Sequence, residues 1–207
     1  MHYPMILQMG FIVCTIEMEN IFVKQGGHMD YFHKIVGERL YLSPFNTEDA
    51  EIYTKWTEWM NDRTISDNFG GYHNLVSVTS AKKTIEELEG YRFNIVLLDD
   101  NVLIGHVSLH DVDHLYRNAF LGVFIGDEQY RGKGYGAETI RLVLDYGFKT
   151  LNLHNIMLSV HADNYAAISC YKKVGFHECG RRREWIFKDG NYIDKIYMDI
   201  LAREFEL

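Results

Sequence analysis

The sequence predicts an α/β (α+β) domain, a sheet of largely antiparallel strands flanked by helices, and three observations carry that prediction. β-rich runs at 92–98, 102–110 and 119–125 follow one another across turn residues as a meander, and runs at 176–187 and 192–200 close the chain as a hairpin. Residues 137–151 carry Ile140, Leu144 and Phe148 at four-residue spacing, which gives a helix one apolar face. Between the third strand and that helix lies a loop with two cations and alternate glycines, Arg131-Gly132-Lys133-Gly134-Tyr135-Gly136.

Taken in chain order, residues 1–28 stand apart. Residues 5–16 are mostly apolar, but Gln8 interrupts them, no cation precedes them and no small-residue cleavage site follows, so neither a secretory signal nor a membrane span is expected. Gly26-Gly27-His28-Met29 reads either as a scar of cloning or as a native start at Met29 behind extra translated sequence. The expected organisation is an N-terminal extension, 1–28, and a single domain, 29–207. Arg39-Leu40-Tyr41-Leu42-Ser43-Pro44 is a short strand stopped by proline, and Asn46 to Asp49 supply capping residues for a helix running to about residue 60. Residues 62–72, with Gly70-Gly71, read as a loop, and a second helix at 79–89 starts after Ser77 or Thr79. Asp99-Asp100-Asn101 and Tyr116-Arg117-Asn118 turn the meander. A strand at 156–160, a helix at 164–173 ended by Val174-Gly175, and the hairpin turned at Lys188-Asp189-Gly190-Asn191 complete the chain.

Length and composition bound the function. The 207 residues suit one ordinary domain, and 47% hydrophobic with 14% aromatic residues exclude a disordered protein. A net charge of −8 repels polyanions and favours cationic partners, so nucleic acid is not expected and an amine substrate is. Cys14, Cys170 and Cys179 show neither metal-ligand nor disulfide spacing, and none of the ten histidines forms an H-E-x-x-H pattern. No metal site is expected, and a reducing cytoplasm fits best.

The glycine loop is an anion cradle. Successive backbone N–H groups can turn toward one point there, and the helix dipole adds to them, so the natural guest is a diphosphate. Gly132-x-Gly134-x-x-Ala137 also satisfies a dinucleotide fingerprint, with Asp163 where a ribose-binding acid would sit. That reading fails on context, because six residues, 126–131, separate Ile125 from the first glycine and no further βαβ units follow. A P-loop fails because no Lys-Ser or Lys-Thr follows a G-x-x-x-x-G.

The spacing Arg131-x-x-Gly134-x-Gly136 resembles the pyrophosphate loop of the GNAT acetyltransferases, Q/R-x-x-G-x-G/A. Asp145-Tyr146-Gly147-Phe148, Asn164 with Ala167-Ile168, Tyr171-Lys172-Lys173-Val174-Gly175-Phe176 and Phe187-Lys188-Asp189-Gly190-Asn191-Tyr192 are similar to the spermidine N-acetyltransferase branch. The stretch from Gly37 to Pro44 is similar to the ribosomal-protein N-terminal acetyltransferases. The resemblance covers about residues 38–201. It implies a GNAT fold whose central mixed, mostly antiparallel sheet is splayed between the fourth and fifth strands, 119–125 and 156–160. It implies acetyl-CoA as cosubstrate and direct attack on the thioester by a primary amine, either a polyamine-like small molecule or a protein N-terminal α-amine. It also admits a homodimer.

Such a reaction makes three demands: a deprotonated amine, a donor for the developing oxyanion, and a proton for the leaving thiolate. By resemblance, Phe124, Ile125 and Gly126 meet the pantetheine arm, with Gly126 or its neighbour as oxyanion donor. Arg131, Gly132, Lys133, Gly134, Tyr135 and Gly136 hold the pyrophosphate, Asn164 bonds the cofactor near its thiol, and Tyr171 is the acid beside the sulfur. A phenol of pKa about 10 facing a thiol of about 8.5 gives its proton uphill, so hydrogen bonding to the thiolate matters more than full transfer. Relatives often carry a glutamate at the start of the strand before the loop, where this chain has Ala119-Phe120-Leu121. His110, Asp111, Asp113, Glu58, Asp67 and water remain open as base. The missing glutamate keeps a contrasting reading alive, a non-catalytic acyl-CoA-binding or sensing module. The acceptor pocket implied by the resemblance draws on Trp56, Trp59, Asp62, Asp67, Phe69, Tyr72 and Trp185, whose rings and carboxylates suit a cationic amine, while Arg181-Arg182-Arg183 opposes a polyamine at that edge.

Overall fold

The computed structural model describes residues 31–45, 50–69 and 74–205; the expected extension, 1–28, lies outside them. The strands are β1 (Ile35–Val36), β2 (Leu40–Pro44), β3 (Tyr91–Leu97), β4 (Leu103–Asp113), β5 (Asn118–Ile125), β6 (Asn155–His161), β7 (His177–Lys188) and β8 (Asn191–Leu201). They form one sheet in the order β1-β2-β3-β4-β5-β6-β8-β7. Every neighbouring pair is antiparallel except β5 and β6. Those two pair in parallel only at Asn118↔Asn155, Ala119↔Ile156 and Phe120↔Met157. Beyond them β5 stays paired to β4 as far as Gly105↔Ile125, and β6 to β8 as far as His161↔Lys195. The sheet therefore splits into a V, as the resemblance implied; the two-residue β1, not foreseen, makes these the fifth and sixth strands.

Strand alternation assigns the two faces. Val107 and Leu109 of β4, Ala119 and Leu121 of β5, and Ile156, Leu158 and Val160 of β6 enter the main core with Ile140, Val143 and Leu144 of α4 (Tyr135–Asp145). Tyr171 and Val174 of α5 (Tyr165–Val174) pack against the same core. On the opposite face, Phe124 meets the edges of Trp56 and Trp59 from α1 (Ala50–Asn61) at centroid distances of 5.6 and 5.5 Å. His106 lies among Phe45, Trp56 and Phe124 and is 3% exposed. Burial, helped by Arg92 and His110, pushes its pKa down to about 3.

Two local features differ from the sequence reading. The stretch read as a loop at 62–72 holds a helix, α2 (Arg63–Phe69), separated from α1 by Asp62 alone. Asp62 Oδ1 accepts from Thr64 N and Thr64 Oγ1, both at 2.8 Å, which is N-cap chemistry, and Ile65 and Ser66 are buried. The helix read over 137–151 begins at Tyr135 and gives way to a π-helical turn over Tyr146–Thr150. The wider turn brings Gly147 against the sheet, where a Cβ would sit 2.7 Å from Ile156 Cδ1, and Phe148 packs on Phe205. The second helix is α3 (Val78–Glu87); of the two cap candidates Ser77 is used, in a reciprocal capping box with Ser80. The closing hairpin turns where expected, with Asp189 and Gly190 both at positive φ, as a two-residue turn requires.

Two outcomes follow for stability. Asp62→Ala removes the α2 cap and lowers unfolding free energy by about 1 kcal/mol, read as a lower urea midpoint at unchanged slope. His106, whose folded pKa lies below its unfolded value of 6.5, destabilises the fold as pH falls from about 6.5 toward 3, because the unfolded chain takes up that proton first. Urea midpoints measured across that range are less pH-dependent in His106→Leu than in the native chain.

Candidate active site

The site is built where β5 leaves β6. Gly126 N donates back across β4 to Ile104 O at 2.8 Å. Alternation then turns the N–H and C=O of Ile125 toward the gap. Of the two positions left open for an oxyanion donor, the Gly126 N–H is thus bonded within the sheet, while its neighbour Ile125 faces the open side. Gly126 is needed for a different reason, since a Cβ there would lie 2.1 Å from Trp59 Cε2. The indole closes over the glycine and donates from Nε1 to Asp127 Oδ1 at 2.9 Å. Phe124, on the face away from the gap's core side, is buried under the same indole.

Arg131 braces this strand end. Its guanidinium donates to Ile125 O at 3.1 Å, Gly126 O at 2.5 Å and Thr64 Oγ1 at 2.8 Å, with Asp62 at 3.8 Å. Its backbone N–H bonds Glu128 O at 3.0 Å. Arg131 therefore shapes the loop mouth here, and the N–H groups left to form a cradle are those beyond it. Gly132 and Gly134 adopt φ of +73° and +87°, the latter as N-cap of α4. Tyr135, Gly136 and Ala137 start the helix, where N–H groups have no intrahelical acceptor. A Cβ added at Gly132 or Gly136 meets nothing within 4 Å, and Lys133 is exposed. The cradle is open.

The sequence reading missed what fixes this loop. Arg39, at the edge of β2, donates from Nη1 to Lys133 O at 3.0 Å, pairs with Glu138 Oε2 at 2.8 Å and lies over the Tyr135 ring at 4.7 Å. Glu138 Oε1 also accepts from the backbone N of Glu38 and Arg39. The partners are about a hundred residues apart, and the only local signal was a carboxylate in the first turn of a helix.

On the other limb, Asn164 caps α5, its Oδ1 accepting from Ala167 N at 3.1 Å, and its Nδ2 donates to Asn68 Oδ1 of α2 at 3.1 Å. Asp67 pairs with Lys188 at 3.7 Å, which also meets Asp163 at 3.2 Å, and Arg63 pairs with Asp189. Helix α2 thus touches both sides of the gap, Arg131 behind β5 and Asn164 behind β6. Tyr171 lies half-buried two turns along α5, its ring 6.0 Å from Phe176, and burial raises its phenol pKa well above the ordinary value. A phenol so shifted stays neutral and can donate a hydrogen bond.

The aromatic and acidic residues expected around an acceptor divide. Trp56 and Trp59 are 8% and 5% exposed and belong to the packing of α1, whereas Trp185 is 56% exposed beneath Arg182 on the hairpin. Tyr72 lies outside the described residues. Glu58, Trp59, Asp62, Asp127 and Glu128 line a depression of about 490 Å³ beside Gly126, with Lys55 against Asp127 at 3.5 Å. Of the bases left open, Asp113 accepts from Leu115 N and Tyr116 N, Asp111 is exposed, Asp67 is ion-paired, Glu58 faces the depression, and His110 stacks on Phe120.

Residues 39–177 match the family model of the acetyltransferase (GNAT) domain. The chain is 31% identical over 174 residues to an SPbeta prophage-derived uncharacterized N-acetyltransferase, YokL, of Bacillus subtilis, covering 83% of this chain and 94% of that one. It is 35% identical over 173 residues to the probable N-acetyltransferase YjcK of the same organism, covering 80% and 95%. Among solved structures, spermidine N-acetyltransferase from Vibrio cholerae in complex with CoA and spermine superposes with a TM-score of 0.69 at 29% identity, covering 80% of this chain and 97% of that chain. With the splayed sheet and the glycine loop already in place, these matches make the chain a member of the GNAT family of acetyl-CoA-dependent N-acetyltransferases.

Proposed function

We propose that this chain binds acetyl-CoA in the gap between β5 and β6 and transfers the acetyl group to a small cationic primary amine. The observation that carries the reading is the parting of those strands beside an open, glycine-lined helix start. The pantetheine amides pair with the Ile125 edge as an added strand would, which requires the Arg131 guanidinium to yield the Ile125 carbonyl. The Ile125 N–H, or the backbone beside it, stabilises the oxyanion, and the diphosphate rests on the N–H groups from Gly132 to Gly136 with Lys133 beside them. Asn164 keeps its cap and orients the start of α5, and Tyr171 offers its hydroxyl to the departing sulfur.

The acceptor reading rests on charge. Glu58, Asp62, Asp127 and Glu128 face one depression, and Lys55 with Arg131 offsets only part of their charge, which suits an amine carrying more than one positive charge better than a lone α-amine. The spermine held by the Vibrio cholerae enzyme in its crystal structure belongs to that class. Self-association, as a dimer or a larger assembly, fits β7, an edge strand with Trp185 and Phe187 exposed. A cytoplasmic setting fits free Cys170 and Cys179, and no helix among the described residues is long and apolar enough to cross a membrane.

Acetyl-CoA at a hundredfold excess over its dissociation constant stabilises the fold by about 2.7 kcal/mol, visible as a rise in melting temperature. Gly136→Val, at a position with ordinary φ and open space, melts like the native chain but loses about tenfold or more in CoA affinity by calorimetry, because its side chain fills the phosphate's place. Equal affinity would make the loop a mere turn.

Tyr171→Phe keeps the ring against Phe176 and removes one hydroxyl. Turnover falls by roughly 10²- to 10⁴-fold while CoA affinity and melting temperature hold. Loss of CoA binding with turnover per bound complex intact would make the tyrosine structural.

A further inference from the structure

The reaction needs a group to take the ammonium proton, and the sheet face that looks away from the main core limits the choice. On β5 that face presents Phe120, Gly122 and Phe124, none of which titrates. On β4 it presents His106, Ser108 and His110, opposite Phe124, Gly122 and Phe120 in turn. His106 is sealed among aromatic rings. His110 is not sealed: 35% of its side chain is exposed, its ring stacks on Phe120 at 6.1 Å and 29°, and its Nδ1 lies 3.5 Å from Ser108 Oγ.

Gly122 completes the arrangement. A Cβ built there would lie 3.1 Å from Ser108 Oγ, 3.5 Å from His110 Cε1 and 3.8 Å from His110 Nδ1. Whatever fills the space above Gly122 therefore touches both side chains. The same strand face reaches Phe124 two residues on, about 7 Å away at the rise of a β-strand.

We propose that His110 is the proton acceptor of the acetyl transfer, receiving the proton of the acceptor ammonium through Ser108 and a water seated over Gly122. This rests on the acetyl-transfer reading above. One ammonium proton passes to the imidazole, leaving a neutral amine. The nitrogen lone pair then forms the C–N bond as the C–S bond breaks, the second N–H proton balances the thiolate as thiol, and the imidazolium returns its proton to solvent. Among the described residues, three titratable or charged groups act on the ring: Asp111 at 4.0 Å, Arg92 on β3 and His106 on β4; Phe120 and Gly122 of β5 add none. Burial and Arg92 lower the His110 pKa against the opposing pull of Asp111, so the imidazole is neutral and able to accept at neutral pH.

The test is thiol release at saturating acetyl-CoA and spermidine from pH 5 to 9, for the native chain, His110→Gln and Gly122→Ala, with CoA affinity measured by calorimetry on each. The native chain is assayed first, so a failure of the acetyl-transfer reading appears there, as CoA binding without thiol release, whereas a failure of the His110 role appears only in the variants. The native kcat should fall on the acid side below pH 6.5. In His110→Gln, kcat should drop about a hundredfold and that acid limb should disappear, with CoA affinity unchanged. Gly122→Ala keeps both polar side chains but fills the space, and should lower kcat about tenfold while the acid limb remains. If His110→Gln keeps its kcat within twofold, or keeps the acid limb at the same pH, His110 is not the acceptor. A kcat in Gly122→Ala equal to the native value removes the water path.

Discussion

The parallel contact between β5 and β6 ends at Phe120 and Met157, and from that point the backbone of Ile125 faces a gap instead of a strand. An unpaired amide edge costs on the order of 1–3 kcal/mol per buried group if nothing answers it, so the region must supply partners or admit a ligand that does. In this chain Arg131 supplies one, donating to the carbonyls of Ile125 and Gly126. The same constraint underlies the proposed site: a ligand rich in amides would answer the open strand edge, and the helix start where the chain turns from β5 into α4 would suit an anion.

Around that gap the structure uses polar ties more than apolar burial. Helix α2 reaches one limb through Thr64 and Arg131 and the other through Asn68 and Asn164, while Arg63 and Asp67 hold the hairpin. Exposed pairs of this kind are each worth little, about 0–1 kcal/mol, so α2 is held by several weak polar contacts together with the burial of Ile65 and Ser66. A helix so held can move when a ligand competes for the same partners, and Arg131 is the partner shared by the strand edge and α2. The glycine loop is fixed from the other side by Arg39 and Glu138, which leaves its open N–H groups unconstrained by side chains.

Two buried or half-buried side chains illustrate how the fold separates structural from chemical roles. Tyr171 and His106 both have their pKa values driven by burial, the phenol upward and the imidazole downward, and both are therefore kept neutral. A neutral phenol can still donate a hydrogen bond. The imidazole of His106, ringed by Phe45, Trp56 and Phe124, is cut off from solvent and contributes packing. His110, two pleats along the same strand face, keeps an exposed edge, and exposure separates the two histidines where residue type does not.

The sequence by itself determined the elements whose signals are local. The meander turns, the Asp189-Gly190 hairpin, the Ser77 cap and the glycine loop at the start of α4 each depend on residues within a few positions of one another, so spacing and turn chemistry were sufficient. The loop motif and the segment from Tyr171 to Phe176 also carried the family, because their residue types answer to backbone geometry and chemistry that leave few substitutes. Only the tertiary structure decided the rest. Helix α2 has Thr64, Ser66, Asp67 and Asn68 in seven residues, a composition that favours a loop, and it forms because distant partners satisfy it. The commitment of the Gly126 N–H to Ile104, the Arg39–Glu138 brace and the place of Gly122 between Ser108 and His110 all join residues far apart in sequence. Those contacts depend on strand register and on which face a side chain takes, and both are set by how the whole sheet pairs and splits.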